Sequence, residues 1–372
     1  MTSSLRRLTE FGQSVWLDDL RRDFLEDGSF AALIDTDGLS GLTSNPAIFA
    51  SAIDESARYA ADIERHARAG DDATQIYERL IVDDIRRAAD LLSPTYDAAD
   101  GHDGYVSLEV SPHLAHDTGA TIDEARHLWT RVGRANLMIK VPATRAGLPA
   151  IEALIAAGIN VNVTLLFSVA RYREVLDAYW RGLEARLAEG HSIARVASVA
   201  SFFVSRIDTL IDRQLASEAA CMATGVRGKA AIACAKLAYQ AFRESLEDPR
   251  WQALEAVRAQ RQRLLWASTG TKDAAYSDVK YVEALIGPDT VTTLPMQTLL
   301  AFRDHGHPKP RLADALDRAQ ATVAQLAALD IDLEDTARQL EREGVDKFIE
   351  PFNRLMARIE AARSRGLEHA VE

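Results

Sequence analysis

Asn136-Leu137-Met138-Ile139-Lys140-Val141 is a short apolar run interrupted by a single lysine, and Pro142-Ala143-Thr144 follows it. A run of this length bounded by proline reads as a strand, and seven others resemble it. Upstream lie SVWLD (14–18), GLTS (41–44) and YVSLEV (105–110). Downstream lie VNVTLLF (161–167), VASVASFFV (196–204), RLLWAST (263–269) and TVTTLP (290–295). The segments between them have helical periodicity. Residues 75–92 place Ile76, Leu80, Ile81, Ile85, Ala88 and Leu92 on one face, and residues 169–188 repeat Val169, Tyr172, Leu176, Tyr179, Leu183 and Leu187, with Gly190 placed to end the helix. Residues 121–133 open on Thr121-x-x-Glu124, which has the form of a capping box.

Strands alternating with helices imply parallel pairing through crossover helices, and eight such units imply closure. The fold class expected is α/β, a (β/α)8 barrel of the TIM type. An open nucleotide-binding sheet would want a glycine-rich phosphate loop, and the chain has neither GxGxxG nor GxxxxGK[ST]. No linker or internal repeat divides the sequence. It is read as one domain, 1–372, with 311–372 forming extra helices packed on the barrel, the mouth being a candidate place for them.

Side chains at the C-terminal ends of barrel strands face the active site. Those ends offer Asp18, Thr43-Ser44-Asn45-Pro46, Glu109, Lys140, Asn162 with Thr164, Ser201 with Arg206, and Ser268 with Lys272. Desolvation in an apolar strand favours a neutral amine, which is a nucleophile towards carbonyls. A lysine merely paired with a carboxylate is the alternative reading of Lys140. Asp18 and Glu109 could move the protons that Schiff-base aldol chemistry requires. For Asp18, beside Asp19, alternation with Trp16 points both side chains inward. Asn45, Asn162, Thr164 and Ser201 suit the hydroxyls of a sugar, and Arg206 at a helix start suits a phosphate.

The remaining composition narrows the class. The 372 residues are 47% hydrophobic and carry 43 basic against 55 acidic side chains, a formal charge of −12. Such a chain lacks the cationic footprint that nucleic acid or an anionic membrane needs, so neither is an expected partner. No signal-like segment and no span of about 18 apolar residues is present, and a cytoplasmic location is expected. Cys221 and Cys234 form no redox or metal spacing, and His113 and His116 belong to no HExxH pattern, so no metal site is expected.

The strand ends WLDDL, GLTSNPAIF, VSLEVSP, LMIKVPAT, INVNVTLLFS and SFFVSRID, taken together and in this order, resemble the transaldolase family. Length and the SVWLDD opening are similar to its longer bacterial subgroup. The resemblance implies that Lys140 forms the Schiff base and that Asp18 transfers the proton in C–C cleavage and re-formation. It further implies that Glu109 and Thr164 handle a catalytic water. Asn45, Asn162, Ser201, Arg206 and Phe203 belong to the substrate site, Arg206 through phosphate. Ser268 joins them, with Lys272 standing where the family often has an arginine. The strand-six motif has Phe202 and Ser205 where the family usually has proline and glycine. The implied reaction transfers dihydroxyacetone from sedoheptulose 7-phosphate to glyceraldehyde 3-phosphate, without metal or organic cofactor, in the pentose phosphate pathway. The partners expected are sugar phosphates, with the chain a monomer or homodimer. A fructose-6-phosphate aldolase-like lyase is the alternative; such members carry glutamine and tyrosine where Glu109 and Phe203 stand. A catalytically dead scaffold barrel would have lost Lys140 or its carboxylates.

Overall fold

A computed structural model describes residues 3–56, 58–215 and 225–368. All eight apolar runs form strands: β1 (Gln13–Asp18), β2 (Leu39–Thr43), β3 (Tyr105–Glu109), β4 (Leu137–Pro142), β5 (Val161–Leu166), β6 (Ser198–Phe203), β7 (Arg263–Ala267) and β8 (Thr290–Leu294). Each pairs in parallel with the next, and β8 returns to β1, closing the barrel.

Local chemistry sets the helix boundaries. Val169–Ala188 occupies the residues its periodicity predicts; Ser168 caps it by accepting from the Arg171 amide, and Gly190 follows it at φ 80°. The 75–92 pattern is the middle of a longer helix, Ala73–Ala98, whose capping box joins Asp72 and Gln75. The expected box at Thr121 is not formed. That helix starts earlier, at Thr118, capped by Asp117. The Thr121 hydroxyl donates to the Leu114 carbonyl, and Glu124 accepts from the Ser111 amide, so both side chains tie the helix to the loop after β3.

Large side chains fill the lower barrel. The Trp16 indole donates to Asp103 at 2.9 Å and packs on Tyr105 with ring centroids 6.4 Å apart. Gly41 on β2 makes room for it: a Cβ there would come 2.4 Å from the indole. Trp16 thus points inward, and by alternation so does Asp18.

At the C-terminal end of the chain, residues 311–315 are irregular rather than helical, and helices Leu316–Ala328 and Leu333–Glu368 follow. The second contacts the helices after β2, the short turn Pro112–Leu114 after β3, and β5 itself. It therefore lies across the C-terminal end of the barrel, burying Leu340, Val345, Phe348, Leu355 and Ile359. Among the described residues, no helix is long and apolar enough to cross a membrane. Cys234 is buried in helix Ala230–Ser245, and Cys221 lies outside the described residues.

Candidate active site

The register of β3 against β4 sets Glu109 beside Lys140. Side chains at paired positions of parallel strands share a face, so a carboxylate and an amine meet inside the barrel. The Lys140 Nζ lies 3.4 Å from Glu109 Oε2 and donates to the Ser44 carbonyl at 3.3 Å. Both side chains are 5% exposed. At that separation the pair is electrostatic rather than a well-formed hydrogen bond. Burial pushes the Glu109 carboxyl above the ordinary carboxylate range, against the opposing pull of Lys140. The pairing considered as an alternative for Lys140 is therefore present, and it leaves the amine next to a carboxyl whose burial favours its protonated form.

Asp18 reaches the same region from β1. It accepts from the Thr43 hydroxyl at 2.7 Å, and Thr43 lies 2.8 Å from the Thr293 hydroxyl. Asp19 is directed elsewhere, 3.5 Å from Arg21.

Of the expected residues, Asp18, Asn45, Lys140, Ser201, Phe203, Arg206, Ser268 and Lys272 line one cavity of about 180 Å³. Its cations are Lys140, Arg206 and Lys272, a basic pocket within an acidic chain. Glu109 flanks the cavity behind Lys140. Asn162 does not line it: fully buried, it donates to the Ser107 hydroxyl at 2.9 Å and accepts from Ser201 at 2.6 Å. Its direct action is on Ser201, which does reach the cavity. The Asn45 oxygen caps helix Pro46–Glu55, accepting from the Ala47 and Ile48 amides. Lys272 is exposed on the rim.

Arg206 stands in the first turn of helix Ser205–Leu215, with its guanidinium carbon 5.2 Å from the Phe203 ring and 5.7 Å from the Phe348 ring. Burial lowers its pKa, while Glu109, Asp18 and Glu343 act to raise it. Ser205, one of the two departures from the family motif, links two strand-end loops. Its amide donates to the Ser268 carbonyl at 3.1 Å, and the two hydroxyls are 2.8 Å apart.

Three buried polar atoms of the expected residues have no hydrogen-bond partner: Glu109 Oε2, Arg206 Nη1 and Thr164 Oγ1, the last on β5 and, like Asn162, not part of the cavity lining. Unsatisfied buried groups of this kind cost about 1–3 kcal/mol each, and a ligand rich in hydroxyls and bearing an anion would offset that. Thr164 owes its inward aim to β5, where it is two residues beyond Asn162 and followed by Leu165 at φ 60°.

Sequence reasoning missed Thr293, the orienting role of Thr43 and, above all, Phe348. The Phe348 ring lies 5.7 Å from the Lys140 Nζ, although it belongs to the C-terminal helix. The available signal was the apolar stripe at Leu340, Phe348, Leu355 and Ile359 in a helix that needed something to cover.

Comparison with known proteins bears directly on this arrangement. The family described as Transaldolase/Fructose-6-phosphate aldolase matches residues 15–359. The chain belongs to that family. It is 50% identical over 352 residues to a protein of Thiobacillus denitrificans named Transaldolase, covering 95% of this chain and 98% of the relative. Proteins of the same name from Acidothermus cellulolyticus and Mycolicibacterium smegmatis are each 48% identical; the first covers 100% of this chain and 98% of the relative, the second 95% of each. These relatives carry the name of the transferase side of the family, which favours transfer over the lyase alternative for this chain. The family match includes all the strand-end residues named above and extends into the C-terminal helix that carries Phe348.

Proposed function

We propose that the chain is a transaldolase moving a dihydroxyacetone unit from sedoheptulose 7-phosphate to glyceraldehyde 3-phosphate through an imine on Lys140. The observation that carries this reading is the buried Lys140 amine beside Glu109, opening with Asp18 onto one cavity. The amine adds to the ketose carbonyl to give a carbinolamine. Glu109, 3.4 Å from the amine, and Thr164, whose buried hydroxyl has no hydrogen-bond partner, pass a proton through water so that hydroxide leaves as water and the iminium forms. Asp18 takes the proton of the hydroxyl next to the C–C bond. That bond breaks, its electron pair moves into the enamine, and erythrose 4-phosphate departs. The enamine then attacks the acceptor aldehyde, whose oxygen receives the proton from Asp18. Hydrolysis of the new iminium frees fructose 6-phosphate. The imine itself is the electron sink, so the sequence of steps needs no metal or organic cofactor.

Asn45, Ser201 and Phe203 hold the sugar portion in this reading, with Asn162 fixing Ser201. Arg206 and Ser268 take the phosphate, and Lys272 supports them from the rim. The same reading makes the chain one catalytic domain with residues 311–372 as added structure, since Phe348 belongs to the cavity wall. It places the protein among the cytoplasmic enzymes of the pentose phosphate pathway, with no nucleic-acid partner.

Two measurements test it. With fructose 6-phosphate alone, free dihydroxyacetone should appear slowly, and erythrose 4-phosphate should raise turnover at least about tenfold, with sedoheptulose 7-phosphate as product. Equal release with and without acceptor would establish the lyase instead. Charge-assisted contacts to phosphate contribute about 1.5–3 kcal/mol, so Arg206→Ala should weaken phosphorylated substrates by roughly one to two decades. If Arg206→Ala still discriminated fructose 6-phosphate from fructose as the parent does, the phosphate would belong to Lys272.

A further inference from the structure

Helix Leu333–Glu368 meets the barrel mouth through two residues one turn apart, of which Phe348 lines the cavity. Gly344 sits flush on the end of β5: a Cβ there would come 2.9 Å from Leu165 Cδ2 and 3.5 Å from Arg206 Nη1. Phe348, four residues on and so on the same face, is 5% exposed and lines the cavity. Its ring centroid lies 5.7 Å from the Lys140 Nζ and 5.7 Å from the Arg206 guanidinium carbon. The helix is held in this place by contacts on elements that follow β2 and β3. Phe352 meets Tyr77 edge-on at 5.4 Å, and Asn353 bonds His113 at 2.7 Å.

We propose that Phe348 is a positioning and specificity-determining residue, a roof over the Lys140 nitrogen that shields the three-carbon intermediate from water until an acceptor aldehyde arrives. The proposal rests on the imine reading of Lys140. Premature release requires the enamine carbon to take a proton and a water to add to the resulting iminium carbon. The carbinolamine then collapses to free dihydroxyacetone and the lysine amine. An aromatic ring above the nitrogen occupies an approach for that water, and its π face favours the cationic iminium. The same ring flanks Arg206, so one side chain shields the reacting end and positions the phosphate-binding end.

The test uses the full chain with Phe348→Ala and Phe348→Leu. Its readout is the ratio of free dihydroxyacetone to sedoheptulose 7-phosphate formed from fructose 6-phosphate and erythrose 4-phosphate. Phe348→Ala should raise that ratio about tenfold, and Phe348→Leu, which restores apolar volume, should raise it less. Both variants should still be labelled on Lys140 by borohydride. A fall in turnover with an unchanged ratio in the two variants would overturn the proposal and reduce Phe348 to packing. If Phe348→Ala fails to fold, Phe348→Leu and Phe348→Tyr decide by the same ratio. Absence of label in the unaltered enzyme would overturn the imine reading itself, a separate failure.

Discussion

Lys140→Met should abolish transfer, lowering kcat/KM by at least about four decades, because the proposed carrier of the covalent intermediate is gone. On the proposed mechanism, borohydride reduction in the presence of fructose 6-phosphate should inactivate the unaltered enzyme and add a reduced three-carbon unit to the peptide containing Lys140. The variant takes up none. Label on another lysine, or activity within tenfold of the parent in the variant, would refute the assignment. The substitution also has a consequence for stability that follows from Glu109. Its carboxyl is pushed by burial above the ordinary value of 4.5, and Lys140 is the strongest group pulling it back. A carboxyl whose folded pKa is raised binds more protons in the folded state, so the stability it contributes at low pH is lost as pH rises through 4.5 towards the folded value. Without the lysine that loss is steeper. Urea midpoints at pH 5 and pH 8 should differ more in Lys140→Met than in the parent, with the variant weaker at pH 8.

Asp18→Ala separates imine formation from bond cleavage. The amine, Glu109 and Thr164 remain, so on the proposed mechanism the carbonyl substrate should still condense with Lys140. Without the proposed base for the substrate hydroxyl the C–C bond should persist, and turnover should fall about 10²- to 10⁴-fold. Mass spectrometry after borohydride then finds the whole six-carbon ketose phosphate on Lys140 in place of the three-carbon unit. Asp19→Ala, whose carboxylate lies 3.5 Å from Arg21, should retain transfer activity. The reverse pattern, with Asp19→Ala trapping the six-carbon adduct and Asp18→Ala active, would move the catalytic base to the neighbouring position. Thr43 is part of this site, because its hydroxyl donates to Asp18 at 2.7 Å and meets Thr293 at 2.8 Å.

The readings that succeeded came from short-range pattern. The apolar runs coincide with strands because a buried parallel strand needs a nearly unbroken apolar stretch. The helix at 169–188 was bounded correctly because Ser168 and Gly190 act within one turn of its ends. Thr121 and Glu124 show where such reasoning fails. Their spacing is that of a capping box, but Leu114 and Ser111, brought close by the chain after β3, take both side chains. Local propensity is a small term that a well-placed tertiary partner overrides.

For the site, position at the C-terminal ends of the strands gathered Asp18, Glu109, Lys140, Thr164 and Ser201 at one end of the barrel, and alternation chose Asp18 over Asp19, since a two-residue period leaves a side chain little choice of face. What they do to one another was decided only by closure of the barrel. The β3–β4 register gives Lys140 the carboxylate of Glu109 as its neighbour. Closure sets Asn162 where it bonds Ser107 of β3, beyond the intervening β4, and Ser201 of the adjacent β6 instead of facing the cavity. Phe348 over the lysine depends on where a helix beyond the last strand comes to rest. A sequence pattern specifies the face a residue presents to its own element's surroundings, whereas the distance between two faces arises when distant elements pack together to bury their apolar stripes.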